Sequence, residues 1–333
     1  MVVRVWAGPL TATTCLLLLA ACTGGSEVDS RESPSIAEPN IAEPSTAAPT
    51  PSPMPSESPT PRPVRFRGSN AMADVRTLAG QIGPRLATGP AFREAGRRVA
   101  ARFTELGYDV RHQSFHVPAG DSWGVPVQAG RSFNVVATPP GFNASKPHRI
   151  VGAHLDTVAV APGAEDNASG VAVVLELARL AAEAETTLPT VFIAFGGEEP
   201  RGPGDDMHHF GSMQYVREMS RAQRRGLQAM VSLDRVGVGA RVPVCTGGVS
   251  PRRVQNDLRT VGRLMDIPTQ ACDSTASDHW SFENAGFAVA RLGSTPYAGY
   301  HSATDLPRVV NTRQLARTGR LTWGWLTQSS AGE

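Results

Sequence analysis

Arg149-Ile150-Val151-Gly152-Ala153-His154-Leu155-Asp156-Thr157 is an apolar run that ends on His-x-Asp. A short apolar run bounded by polar residues has the pattern of a buried strand. Open α/β sheets assemble their sites at the carboxyl ends of such strands, where this histidine falls. Two more runs end in the same way. Residues 190–195, T-V-F-I-A-F, lead into Gly196-Gly197-Glu198-Glu199, and residues 229–233, A-M-V-S-L, lead into Asp234.

Further strand-like runs lie at 110–117, 133–137 and 287–292, with helical patterns between them at 170–184, 252–265 and 312–326. Pro90 opens another helix, which carries Phe92, Ala95, Val99, Phe103 and Leu106 on one face and reaches a capping glycine at Gly107. This alternation predicts one α/β domain over residues 68–328, with a mixed, mainly parallel central sheet and helices on both faces.

Asp166, in E-D-N-A-S-G, sits on the turn entering the helix near Gly170, and His301, in G-Y-H-S, lies after the last strand. Singly, an Asp at a helix start is usually a cap and a loop His is usually solvated. Together His154, Asp166, Glu199, Asp234 and His301 form a mixed nitrogen and oxygen shell suited to two zinc ions, with one shared carboxylate. Adjacent side chains diverge, so Glu199 can reach a metal while Glu198 serves as the base.

The motifs A-H-L-D-T, E-D-N-A-S-G, G-G-E-E, S-L-D, S-D-H-W-S-F at 277–282 and Y-H-S-A-T-D at 300–305 resemble those of the co-catalytic zinc aminopeptidases, metallopeptidase family twenty-eight of clan MH. The resemblance covers about residues 75–327 and begins with I-G-P-R-L-A at 82–87. It implies a zinc-exopeptidase fold with one ion on His154 and Asp234, the other on Glu199 and His301, and Asp166 bridging them. Related zinc carboxypeptidases and aminoacylases would carry D-x-K-G around the bridge, where this chain has D-N-A-S-G.

Within that resemblance Asp156 is expected to accept the second ring N–H of His154, and Tyr300 to donate to the oxyanion. The implied substrates are peptides with a free amino terminus. Asp278 and His279 are left out of the metal set. Ala276 stands beside the S-D-H motif, where some family members carry a substrate-placing arginine. The stretch R-G-P-G-D-D-M-H-H-F at 201–210 is expected to form an exposed rim that selects the substrate end, with Asp205, Asp206, His208 and His209 outside any metal site. A one-zinc glutaminyl-cyclase-like acyltransferase and a non-catalytic receptor-like domain are the alternatives, and retention of all five ligands argues against both.

The 333 residues are 41% hydrophobic with a net charge of +2, and Lys146 is the only lysine, so nothing points to nucleic acid or a polybasic membrane surface. Arg4, the apolar stretch 16–21 and Leu19-Ala20-Ala21-Cys22 resemble a bacterial lipoprotein signal. The expectation is a signal peptide over 1–21, lipidation of Cys22, and a Pro/Ser-rich tether over 22–67 that holds the domain outside the cytoplasm on a membrane anchor. A five-residue tail, 329–333, would follow the domain. Cys245 and Cys272 then remain as one candidate disulfide pair, and a monomer is expected.

Overall fold

The computed structural model describes residues 64–328. The expected signal segment, Cys22, the tether as far as residue 63 and the tail 329–333 lie outside the described residues.

The chain enters through α1 (Gly68–Val75), continues in a wider helical turn (Arg76–Ile82) and forms α2 (Pro90–Glu105). A hairpin layer follows: β1 (Asp109–Val117), β2 (Gly120–Asp121), β3 (Pro126–Val127) and β4 (Gly130–Thr138). Next come β5 (His148–His154), an irregular turn (Ala164–Ala168), α3 (Ser169–Glu183), β6 (Thr190–Phe195), α4 (Phe210–Glu218), α5 (Arg221–Gly226) and β7 (Leu227–Leu233). The last third holds β8 (Val242–Thr246), α6 (Arg253–Leu264), β9 (Thr269–Asp273), α7 (His279–Asn284), β10 (Val289–Leu292) and α8 (Thr312–Thr327).

Eight strands form one sheet in the order β1-β4-β6-β5-β7-β10-β8-β9, and β2 pairs with β3 separately. The four central strands β6, β5, β7 and β10 run parallel, as do β8 and β9, while β1, β4 and the β8–β10 junction are antiparallel. The sheet is thus mixed and parallel at its centre, as the sequence pattern predicts. Its central strands are buried on both faces, which is why they read as continuous apolar runs and not as alternating ones. Val151, Ala153, Phe192, Ala194, Val231 and Leu233 pack toward α3 and its neighbours. Ile150, Val191, Ile193, Phe195 and Met230 turn to the opposite face, under α4 and α7.

The start of the domain and one end of the sheet differ from expectation. The domain begins before Gly68: Phe66 is buried, and its ring lies so close to Gly319 of α8 that a Cβ there would stand 2.2 Å from it. Arg67 N–H donates to Glu176 Oε1 at 2.9 Å. The edge strand β9 escapes periodicity because it exposes most of its residues, and its neighbour β8, although mostly buried, is only five residues long. Cys245 and Cys272 lie opposite each other across these two strands and are joined by a disulfide.

Arg85 of I-G-P-R-L-A secures the segment that follows β5. Its buried guanidinium donates to the carbonyls of Leu78, Gly83, Leu155, Pro162 and Gly163 over 2.6–3.0 Å, and its backbone N–H donates to Thr157 Oγ1 at 2.8 Å. Burial pulls its pKa down to about 10, against the charges of Asp305 and Asp156, so it stays cationic at neutral pH.

Two measurements test this framework. Arg85→Met leaves five buried carbonyls without their donor and should lower unfolding free energy by about 3–5 kcal/mol in urea titration; a loss below ~1 kcal/mol would show that the clamp is dispensable. Cys245→Ala with Cys272→Ala should cost roughly 3 kcal/mol by the same titration under oxidising conditions and nothing extra under reductant.

Candidate metal centre

Because β5, β6, β7 and β10 are parallel neighbours, their carboxyl ends open on one side of the sheet. His154 is the last residue of β5, Glu198 and Glu199 follow β6, and Asp234 directly follows β7. Asp166 arrives from the irregular turn before α3, where the Asp166–Asn167 peptide is cis, and His301 arrives from the loop after β10. All six side chains are buried.

Asp166 stands between the two histidines. Its Oδ1 is 3.2 Å from His154 Nε2 and its Oδ2 is 3.3 Å from His301 Nε2. His154 Nε2 lies 3.7 Å from Asp234 Oδ1, and His301 Nε2 lies 3.2 Å from Glu199 Oε2. His154, Asp166 and Glu199, and likewise His154, Glu198 and Asp234, bring potential ligand atoms within 4.8 Å of one another. Among the described residues Glu199 Oε1 and Asp234 Oδ1 are buried without a hydrogen-bond partner. Buried carboxylate oxygens in that condition call for cations, and the donor set of imidazole and carboxylate fits zinc.

The charges make the same point. Burial, with Asp166 alongside, pushes Glu199 up to about 8. Burial alone would lower His301, but hydrogen bonds to Asp166 and Glu199 raise it to about 10. Without cations, protons must therefore hold this cluster together. Burial also raises Glu198, yet the opposing influence of His154 and His209 prevails and holds its carboxyl below the ordinary glutamate value.

Asp156 departs from expectation. Its carboxylate is 3.9 Å from His154 Nδ1, whereas its backbone carbonyl lies 3.1 Å away and is the nearer partner of the ring. The carboxylate instead accepts the backbone N–H groups of Glu198 at 3.1 Å and Glu199 at 3.2 Å. It is thus committed to the two glutamates, whose amides it aligns, and only its main chain reaches the imidazole.

The segment 201–210 is exposed at Pro203, Gly204 and Asp206, as a rim would be, but its two ends are not. It folds back on itself through Arg201 N–H to Met207 O at 2.7 Å, and Phe210 N–H donates to Gly197 O at 2.8 Å. His209 is buried. Its backbone N–H donates to Glu198 O at 2.9 Å, and its Nε2 stands 3.1 Å from Glu198 Oε1 and 3.1 Å from His208 Nδ1. Composition alone hides this, because Gly, Pro and Asp dominate the segment; the one signal is H-H-F placed directly before the Gly211-Ser212 start of an apolar helix.

Asp305 closes the Y-H-S-A-T-D motif. It accepts the backbone N–H groups of Glu165 at 2.9 Å and Asp166 at 3.1 Å, together with the Tyr297 hydroxyl at 2.9 Å. Glu165 in turn accepts from the amides of Gly237 and Val238, fixing the turn after Asp234. Asp278 and His279 are fully buried at the start of α7, and His279 Nε2 contacts Ser274 O at 2.7 Å; neither belongs to the ligand cluster.

A cleft of about 170 Å³ exposes the cluster, with Tyr300, Trp123, Arg235 and Ala276 in its wall. Tyr300 stacks on His301 with centroids 3.8 Å apart, and Trp123 meets both rings edge-on. Positive φ angles at Trp123, His209, Arg235 and His301 place four non-glycine residues of this one cleft in the left-handed region. Such conformations persist where surrounding contacts over-determine them, and they gather at ligand sites.

Comparison with known proteins agrees with this geometry. Residues 134–326, more than half of the chain, match the model of Peptidase family M28. Aminopeptidase YwaD of Bacillus subtilis is 28% identical over 202 residues, covering 57% of this chain and 43% of its own. The leupeptin-inactivating enzyme 1 of Streptomyces exfoliatus is 26% identical over 245 residues, covering 71% of this chain and 51% of its own. This chain spans about half the length of the curated relatives it matches. Among structures, the zinc aminopeptidase BSAP from Bacillus subtilis superposes with a TM-score of 0.71 at 18% identity, over 79% of this chain and 95% of that one. The Bacteroides thetaiotaomicron glutaminyl cyclase does so with a TM-score of 0.68 at 19% identity, over 80% and 99%. The shared fold is therefore wider than one reaction, but the matched segment spans every proposed ligand, and the chain belongs to Peptidase family M28.

Proposed function

We propose that this protein is a two-zinc aminopeptidase that removes residues from the free amino terminus of peptides, held outside the cytoplasm by a lipid on Cys22. The observation that carries the catalytic part is Asp166, whose two oxygens each face a different histidine, each of those beside its own further carboxylate. In this reading His154 and Asp234 would hold one ion, Glu199 and His301 the other, and Asp166 would contribute to both. Zinc bound there would supply Lewis acidity toward the scissile carbonyl and acidify the attacking water.

The protein's own groups account for the remaining steps. Glu198 is beside the cluster, with Oε2 3.8 Å from His154 Nε2, and its carboxyl is held below the ordinary glutamate value, so it is ionised at neutral pH and can take a proton from water and return it to the leaving amine. His209 with its proton on Nε2 donates to Glu198 Oε1, which fixes the carboxylate and leaves Oε2 toward His154 and the cleft. Burial and the nearby charge of Asp166 keep the Tyr300 hydroxyl protonated, and its ring is held by stacking on His301, so it can donate to an oxyanion. The surplus of carboxylates favours the substrate's ammonium. The cyclase on the same fold is the competing activity, and the complete set of five ligands with a separate base favours hydrolysis.

The domain, stripped with chelator and reloaded with zinc, should hydrolyse aminoacyl-anilides and spare N-acetylated peptides. Turnover of blocked peptides alone, or cyclisation of N-terminal glutamine without hydrolysis, would refute this function. Glu198→Gln should bind two equivalents of zinc yet lose about 10²–10⁴-fold in kcat.

His209→Phe should lower kcat by about 10- to 100-fold at unchanged zinc content and with little change in KM. His209→Gln, whose amide can still donate, should recover part of that loss; equal kcat for both variants and the parent would remove His209 from the mechanism.

A further inference from the structure

Two arginines open on the cleft, and their situations differ. Arg291 of β10 is engaged through both terminal nitrogens: Nη2 donates to Asp234 Oδ2 at 2.6 Å and Nη1 to Ser274 Oγ at 2.9 Å, with the side chain 2% accessible and only Nε without a partner. Its charge is balanced by Asp234, and its position in the strand explains its presence. Arg235 is not engaged in this way. Its nearest carboxylate contact is Nε to Asp234 Oδ1 at 3.7 Å, beyond hydrogen-bond length, and its side chain retains 15% accessibility. The guanidinium lies over the Tyr300 ring, 4.5 Å from the centroid, at the wall of the cleft.

The backbone holds Arg235 there at a cost. Its φ is +57°, a region that glycine or asparagine enters more easily than arginine. The conformation is imposed from three sides. Arg235 N–H points to Asn167 Oδ1 at 3.3 Å, and Ser294 N–H donates to its carbonyl at 2.9 Å. Gly293 packs so closely that a Cβ there would stand 2.6 Å from that carbonyl. The turn serves Asp234, whose position it fixes, but nothing in the turn requires a guanidinium. A planar fork of donors, resting on an aromatic face beside a reaction site and without a bidentate partner, is suited to a carboxylate. Asp234 Oδ1, the oxygen nearest to Arg235, is also the one turned to His154, so a cation held by that pair would compete with the arginine for it.

We infer that Arg235 is a specificity residue that binds a carboxylate of the substrate, making this enzyme selective for peptides with a negative charge close to the scissile bond. The inference rests on the peptidase reading of the same cleft. The carboxylate has two sources: an acidic N-terminal side chain, or the C-terminus of a dipeptide.

Matched pairs separate the two sources. With zinc-loaded protein, glutamyl-anilide is compared with glutaminyl-anilide, and Leu-Gly with Leu-Gly-amide. One pair should differ by about 10- to 100-fold in kcat/KM in favour of the carboxylate, the worth of a charge-assisted hydrogen bond. Arg235→Met should bring that ratio close to 1, and Arg235→Lys, which keeps the charge but loses the fork, should leave an intermediate ratio. Calorimetry of glutamyl and glutaminyl hydroxamates binding to the same proteins supplies a readout independent of turnover, and zinc content with thermal unfolding verifies that each variant is folded. Equal rates and affinities within every pair for the parent, or a ratio that survives Arg235→Met, would overturn the inference. If no substrate is cleaved, the peptidase reading fails, and the hydroxamate pair still decides whether Arg235 selects a carboxylate.

Discussion

Five carboxylates, those of Asp156, Asp166, Glu198, Glu199 and Asp234, are buried together at the carboxyl edge of four parallel strands, and the rest of the domain is arranged to make that tolerable. Repulsion among them would expel at least one from a low-dielectric interior unless positive charge or donors met each group. Arg291 meets Asp234, and the backbone amides of Glu198 and Glu199 meet Asp156. His154 and His301 share Asp166, and Glu199 is left with one oxygen on His301 and the other without a hydrogen-bond partner. Among these five groups the oxygens without a hydrogen-bond partner belong to the proposed ligands Glu199 and Asp234, whereas the compensated Asp156 is not a proposed ligand.

A second layer of buried charge keeps this layer in place. Asp305 holds the amides of Glu165 and Asp166, Glu165 holds the turn beyond Asp234, and Arg85 gathers five carbonyls around the chain between His154 and Asp166. Each of these groups acts on main chain, which is the way to place a ligand that must itself stay free for a metal. Loops fixed by such contacts can carry left-handed residues that would otherwise relax, which explains why four of them face one cleft.

The parts that could be read from the chain are those governed by local periodicity. His154, Glu199 and Asp234 were recognisable because each ends an apolar run, and the parallel centre of the sheet follows from those same runs. The role of Asp156 is not legible because spacing by two residues places a side chain on the right face but does not tell its carboxylate from its carbonyl. His209 and Asp305 could not be read at all: their partners lie 11 and about 140 positions away, and only the closed loop brings His209 to Glu198. Arg85 sat in a recognisable motif, yet its role depends on carbonyls from three separate segments. β9 was missed for a different reason, since a strand at the sheet edge with exposed side chains carries no hydrophobic signal.

His209 and Arg235 occupy opposite situations in one cleft, and the contrast bears on how the family fold is adapted. His209 is buried, its Nε2 is in contact with Glu198, and its backbone is tied to the same residue, so it serves the proposed base. Arg235 has a fixed backbone but a guanidinium that retains access to the cleft and lacks a close carboxylate. A group satisfied by the protein tunes what is already there, while a group left unsatisfied beside a reaction site awaits something from outside. Ala276 shows the same logic from the other side. Where some family members carry an arginine beside S-D-H this chain has Ala276, which lines the same cleft as Arg235, so the guanidinium left accessible there comes from the turn after β7 instead.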